Sequence, residues 1–237
     1  MITIKTYPFI LSAVMIFMTA CSYTNHFLDE EGLDPSAPYR TMADLDATAY
    51  DSWTYINLET GEIEKHKDSG TWYYTGTEQT KKEQTTEEVG INWHIAVHRY
   101  EIKTNNGSAV NTHIPDIENV IALPDGKYEE DETVNYFTES AVEGTTPYLL
   151  VMDMSGMMDG NIGYALDGQI NRVLCDAVTR TETGGMPPVL YGTTGEVLAI
   201  KYPDGDWAAI KITKTYGGSD GARSGMMSFQ YKFHKSK

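Results

Sequence analysis

Short runs of alternating apolar and polar residues, each cut off by a turn sequence, dominate this chain. Trp53-Thr54-Tyr55-Ile56-Asn57-Leu58 alternates and ends at Thr60-Gly61-Glu62. Trp72-Tyr73-Tyr74 is a short aromatic run, and Val89 to Thr104 is a longer β-type run that stops at Asn105-Asn106-Gly107. Pro124-Asp125-Gly126-Lys127 and Pro203-Asp204-Gly205-Asp206 are further turns. Leu198 to Tyr202 and Trp207 to Tyr216 flank the second of them, which predicts a hairpin, and Met226 to Phe233 reads as the last strand. Successive strand side chains point to opposite faces, so this period of two builds sheets with one face buried. Sixteen tyrosines and four tryptophans fit such a protein. Helix-like stretches are few: Lys81 to Glu88 and Glu129 to Glu132 are charged and read as exposed helical turns or loops. The pattern predicts an all-β domain.

The N-terminus reads differently. Lys5 precedes the apolar run Phe9 to Phe17, and Thr19-Ala20 and then Cys21 follow it. This predicts a signal peptide at residues 1–20, too short to span a bilayer as a stable helix. Met18-Thr19-Ala20-Cys21 resembles a bacterial lipobox, with Met in place of the usual Leu; it implies cleavage before Cys21 and lipidation of that cysteine. The other reading is an ordinary secreted protein. More than one acyl chain on Cys21 suffices for stable anchoring. Residues 21–47 are polar, with Asp29-Glu30-Glu31 and two prolines, and read as a flexible tether. The acidic cluster resembles the surface-export signal of Bacteroidetes lipoproteins, which implies the outer face of the outer membrane. Residues 48–237 form the expected domain, about 190 residues, enough for one core.

Cys175 is the one cysteine left after Cys21, so no internal disulfide staples the fold. It lies in the alternating segment Arg172 to Val178 and reads as a buried strand cysteine. The formal net charge is −16, and loss of Lys5 with the leader makes it one unit more negative. That acidity argues against nucleic acid or an anionic membrane surface as partner, leaving the anchor as the membrane contact. Neither Gly-x-Ser-x-Gly, His-Glu-x-x-His nor a carboxylate pair occurs in a context that supports catalysis, so the chain does not read as an enzyme. His94 and His98 have the spacing of a helical metal pair. On a strand, however, that spacing separates them by roughly 13 Å, too far for one ion. His98 is expected buried and hydrogen-bonded, and His94 exposed.

Methionine is concentrated late in the chain: Met152, Met154, Met157, Met158, and Met186 within Gly185-Met186-Pro187-Pro188. Outside residues 1–20 the others are Met42, Met226 and Met227. The thioether is a soft, neutral metal ligand, but methionine also fills core gaps, and spacing alone favours the core.

Two stretches carry a family resemblance. Tyr50-Asp51-Ser52-Trp53-Thr54-Tyr55-Ile56-Asn57-Leu58-Glu59-Thr60-Gly61 is one, and Asn92-Trp93-His94-Ile95-Ala96-Val97-His98-Arg99-Tyr100-Glu101-Ile102-Lys103-Thr104-Asn105-Asn106-Gly107 is the other. With Val197 to Tyr202 and the closing strand, the chain resembles HmuY-type haem-binding lipoproteins of Bacteroidetes over most of residues 48–235. The resemblance implies a hand-like fold of twisted antiparallel sheets whose finger loops grasp haem. It also implies a haemophore, which takes haem from host haemoproteins and passes it to an outer-membrane TonB-dependent receptor.

The founding type uses two axial histidines. None of the six histidines here falls in the corresponding segments. Related members use a methionine pair, and this chain resembles that branch. Met186 matches the second ligand loop, and Ser155-Gly156-Met157-Met158-Asp159-Gly160 matches the first. A strand from Tyr148 to Met154 places Met152 and Met154 with Leu150 in the core. Met158 is the favoured first ligand, with Met157 second; Met226 and Met227 read as packing residues. Tyr164 and Tyr191 flank the two loops, for a porphyrin face or for the core. A competing reading keeps the scaffold but gives it another ligand, a glycan or a different tetrapyrrole.

Overall fold

The computed structural model describes residues 38–68, 70–82, 88–139 and 150–236. The signal peptide, Cys21 and most of the tether therefore lie outside the described residues, as does Tyr148.

The strands run in chain order as β1 (Arg40–Asp46), β2 (Ser52–Ile56), β3 (Ile63–Lys67), β4 (Thr71–Tyr74) and β5 (Gln79–Lys82). Next come β6 (Ile95–His98), β7 (Glu101–Thr104), β8 (Ser108–Asn111), β9 (Glu129–Glu130) and β10 (Glu132–Val134). A short helix, α1 (Tyr136–Glu139), precedes β11 (Met152–Asp153), β12 (Gly163–Ala165) and β13 (Gly168–Ile170). The helix α2 (Arg172–Asp176) leads into β14 (Val178–Glu182), β15 (Val189–Thr193), β16 (Leu198–Lys201), β17 (Trp207–Gly217) and β18 (Arg223–His234).

These strands make a six-stranded sheet, β1-β18-β17-β16-β8-β9, and two four-stranded sheets, β3-β2-β6-β7 and β11-β12-β4-β5. The pairs β10-β13 and β14-β15 stand beside them, and every pairing is antiparallel. The expected all-β class is the observed one. The hairpin predicted around Pro203-Asp204-Gly205 is β16–β17, with Lys201 opposite Trp207. Ile95, Val97 and Ile102 of one sheet meet Leu198, Met227 and Phe229 of another in the main core. Burying each such side chain stabilises the fold by about 1.5–3 kcal/mol.

The structure departs from the sequence reading at several places. Residues 40–46, expected in the tether, form β1 against β18, with Met42 opposite Phe229 and both Met42 and Leu45 buried. Met42 and Leu45 are three residues apart, and the break in register between them against β18 lets both be buried despite the polar composition around them. The run Val89 to Thr104 is not one strand: it folds back as β6–β7, with Arg99 in the left-handed region (φ 55°) and His98 opposite Glu101. His98 is fully buried as expected and shares a hydrogen bond of 2.8 Å with the Tyr50 carbonyl.

His94, expected exposed, is buried, because its Nδ1 accepts the Leu58 backbone N–H at 3.0 Å. Cys175 is buried, but in α2 and not on a strand. Asn171 caps that helix by accepting the Leu174 N–H, which diverts the backbone from strand pairing. Of the charged stretches, residues 81–82, 129–130 and 132 belong to the strands β5, β9 and β10 and not to helical turns, whereas residues 83–87 lie outside the described residues. At sheet edges, exposed charged residues discourage pairing with another chain.

Candidate functional site

Two hairpin tips carry the methionines singled out from the sequence. The first is the β11–β12 connection. Met157–Asp159 form one 3-10 turn, closed by Gly160, whose N–H donates to the Met157 carbonyl at 3.0 Å. Gly160 takes φ 69°, a conformation glycine adopts without cost. Asn161 braces the turn twice: its N–H donates to the Gly156 carbonyl at 3.0 Å, and its Oδ1 accepts the Gly76 N–H at 3.2 Å. Gly76 lies in the β4–β5 turn, so the tips of two neighbouring hairpins support each other. Met157 is 47 % exposed on this tip and Met158 is 89 % exposed.

The second tip joins β14 to β15. Glu182 pairs with Val189, and the Thr183 N–H donates to the Pro188 carbonyl at 3.0 Å. The Thr183 hydroxyl donates to the Pro187 carbonyl and accepts the Gly185 N–H. Gly184 takes φ 68°. These bonds hold Met186 outward at 90 % exposure, before a cis peptide to Pro187. The base of this hairpin is tied to β17, because Tyr191 donates its N–H to the Tyr216 hydroxyl and accepts from the Thr215 hydroxyl.

A large apolar side chain left in water is unfavourable, so its exposure is informative when the backbone around it is ordered. Met152 packs against the core, Met154 is half-buried, and Met226 and Met227 are buried. The eight methionines outside the leader thus divide, and core filling does not describe Met157, Met158 and Met186. Among the described residues, no hydrogen bond, ion pair or ring contact joins the two tips. No described histidine belongs to either tip. His94 and His98 are buried beneath other strands, His113 sits beside Glu196, and His234 stacks on Trp207 at 3.9 Å.

The two tyrosines expected near the loops have distinct surroundings. Tyr164 on β12 lies 4.4 Å from the Tyr136 ring, and Tyr136 stacks on Tyr73 at 5.5 Å. Phe137 extends this cluster at 4.9 Å from Tyr73 and remains 53 % exposed. Tyr191 stacks on Tyr100 at 3.9 Å, with the Arg180 guanidinium 5.8 Å from its ring centre. Burial raises the pKa of both phenols, helped at Tyr164 by Tyr136 and at Tyr191 by Glu101. Both are therefore neutral at neutral pH and offer rings or hydroxyl donors, not phenolate ligands.

The sequence reading missed Tyr73, Tyr136 and Phe137 at this cluster. The readable signal was the alternation in Trp72-Tyr73-Tyr74, which turns Tyr73 away from the face of its neighbours.

Three cavities of about 570, 520 and 550 Å³ open among the described residues, the second of them beside Asp153 and Ser155 at the base of the first tip, and Met157, Met158 and Met186 line none of these three. Gly217-Gly218-Ser219-Asp220-Gly221 has nucleophile-elbow spacing. It is only the β17–β18 turn, closed by the Gly221 N–H on the Gly218 carbonyl at 3.0 Å, and no helix follows it.

Residues 49–231 match the family described as HmuY protein. No curated protein matches the chain. Among solved structures, the apo HmuY analog of Tannerella forsythia is similar, with 30% identity and a TM-score of 0.69, over 84% of this chain and 96% of that one. A Bacteroides vulgatus structure described as HmuY-like and heme-binding has 31% identity and a TM-score of 0.61, over 84% and 93%. A Bacteroides fragilis structure described as a lipoprotein has 26% identity and a TM-score of 0.59, over 84% and 91%.

Proposed function

The chain belongs to the HmuY family, and we propose that it is a haem-binding surface lipoprotein, not an enzyme, whose iron ligands are Met158 and Met186. The observation that carries this reading is the exposure of those two methionines, 89 % and 90 %, on ordered hairpin tips without histidine. The donor set fits the iron of haem. A thioether is neutral and soft, so a pair of them favours ferrous over ferric iron and raises the reduction potential relative to imidazole. No ligand proton has to leave, so binding through methionine depends little on pH. The hydrogen-bonded turns lower the ordering cost of fixing each ligand. Met157, half as exposed as its neighbour, is the alternative first ligand. Tyr164, with the Tyr136 and Phe137 rings beside it, supplies an apolar wall for a porphyrin face. Tyr191, already stacked on Tyr100, serves to stiffen the second finger.

In this reading Cys21 carries the lipid and residues beyond it hold the domain at the outer membrane, facing outward. Haem comes from host haemoproteins and leaves to an outer-membrane TonB-dependent receptor. The B. fragilis relative described as a lipoprotein and the B. vulgatus relative described as heme-binding support the two halves of this proposal.

The test is to titrate the mature protein with haem in air and under dithionite. Tight, saturable binding that strengthens on reduction is expected. Absence of binding in both states removes haem as the ligand, and screening of glycans and other tetrapyrroles follows.

A further inference from the structure

Thioether sulfur lies open to solvent at both hairpin tips and is shielded in the core. Met158 and Met186 are 89 % and 90 % exposed, whereas Met227 is 1 % exposed and Met42 and Met226 are buried. The turns that carry the two exposed residues are closed without their side chains. At the first tip the Gly160 N–H donates to the Met157 carbonyl and the Asn161 N–H to the Gly156 carbonyl. At the second the Thr183 N–H donates to the Pro188 carbonyl and its hydroxyl to the Pro187 carbonyl. Among the described residues, no hydrogen bond uses the sulfur of Met158 or Met186.

Exposure decides which sulfur atoms an oxidant reaches. Oxidation turns the apolar side chain into a polar sulfoxide, which in a core breaks the packing around it. At the tips there is no packing to break, and the modified side chain stays in water on a turn that its sulfur does not hold. Met157, 47 % exposed, and the half-buried Met152 and Met154 fall between the two groups. Cys175 is fully buried and does not compete for the oxidant. The fold thus concentrates a reversible modification at the two positions where it changes ligand chemistry most. A thioether is a soft donor, whereas a sulfoxide presents a hard oxygen, which suits ferrous haem iron poorly.

We propose that Met158 and Met186 form an oxidation-sensitive modification site, at which a peroxide switches off haem capture and a thiol-dependent reductase restores it; this rests on the reading of the two residues as the iron ligands. The sulfur lone pair forms a bond to one peroxide oxygen, and the O–O bond breaks. The transferred oxygen gives its proton to the departing one, which leaves as water. Sulfur loses two electrons and the peroxide gains them, so thioether and hydrogen peroxide become sulfoxide and water. In the reverse step two thiols of the reductase supply two electrons and two protons, close to a disulfide, and the oxygen leaves as water. One sulfoxide suffices to release haem, because axial ligation needs both tips.

The mature protein without haem is treated with hydrogen peroxide, sampled over time and quenched with catalase. Peptide mass spectrometry follows each methionine, with fragment ions that separate Met158 from Met157. Met158 and Met186 are expected to gain oxygen about tenfold or more faster than Met226 and Met227, which react only when the fold opens. Each sample is then titrated with haem under dithionite. Binding capacity is expected to fall in step with the fraction of protein carrying a sulfoxide at either tip, while the circular dichroism spectrum is unchanged. Both methionine sulfoxide reductases together, one for each sulfur epimer, are expected to restore it. Tips that oxidise no faster than Met226 and Met227 overturn the proposal, and so does binding that the reductases fail to restore. The untreated protein separates the switch from the haem reading. If it binds no haem, that reading has failed and the switch falls with it. If it binds haem and the protein oxidised at both tips binds as tightly, haem remains the ligand and the switch is lost.

Discussion

A Cβ built on Gly156 would lie 2.3 Å from the carbonyl oxygen of Asn161. Nothing larger than glycine fits there while the 3-10 turn of Met157 and Met158 keeps its shape. Gly156→Ala is therefore expected to shift the backbone at this tip, at a local cost of about 1–3 kcal/mol. Haem affinity should fall while the circular dichroism spectrum is kept. Unchanged haem affinity would show that the turn does not position the ligand.

Methionine substitutions should separate tip from core. Met227 is 1 % exposed, and Met227→Ala is expected to cost about 2–5 kcal/mol in urea unfolding. Met158→Ala and Met186→Ala, at 89 % and 90 % exposure, should stay within about 0.5 kcal/mol of the parent. A large loss at either tip would mean that it packs against structure in solution.

Two histidines give stability opposite slopes with pH. Burial opposes the His98 cation, but Glu101 and the Tyr50 carbonyl outweigh it, and its pKa lies above the ordinary 6.5. Its stabilisation is complete below the ordinary value and is lost as pH rises through the raised one. Burial lowers the pKa of His94, so its contribution is complete above 6.5 and is lost as pH falls through the lowered value. Denaturation midpoints across about pH 5 to 8 should therefore flatten on the basic side in His98→Gln and on the acidic side in His94→Asn. Parallel profiles in parent and variants would reject the assignment.

Cys175 should be inert in the native protein. It is fully buried, its Sγ accepts the Ile102 N–H at 3.2 Å, and burial pushes its thiol pKa up. Iodoacetamide is expected to label it only after unfolding. Labelling of the native state at the rate of a free thiol would place it elsewhere.

Most of the fold was legible where alternation and turn chemistry agreed. β2, β4, the β16–β17 hairpin and β18 sit where the period of two and the Pro-Asp-Gly turn put them. The signal failed where burial depends on a distant partner. β1 is polar in composition, and only pairing with β18 identifies it as a strand. His94 looked exposed because its partner, the Leu58 N–H, lies 36 residues away. The β6–β7 turn was hidden because Arg99 and Tyr100 are not turn residues by type, and Arg99 takes a positive φ beneath its own hydrogen bonds to Thr48 and Ser224. At the candidate site, family likeness pointed to Met158 and Met186, whereas spacing alone favoured core filling. Their exposure is a property of the folded hairpins, and no local pattern encodes it.

The central claim is tested most directly by the visible spectrum of the haem-loaded mature protein under dithionite. Sharp low-spin ferrous bands are expected for the parent. Met158→Ala and Met186→Ala should each lose them while remaining folded, and Met157→Ala should keep them. If Met158→Ala and Met186→Ala both leave the spectrum unchanged, the two methionines are not the ligands.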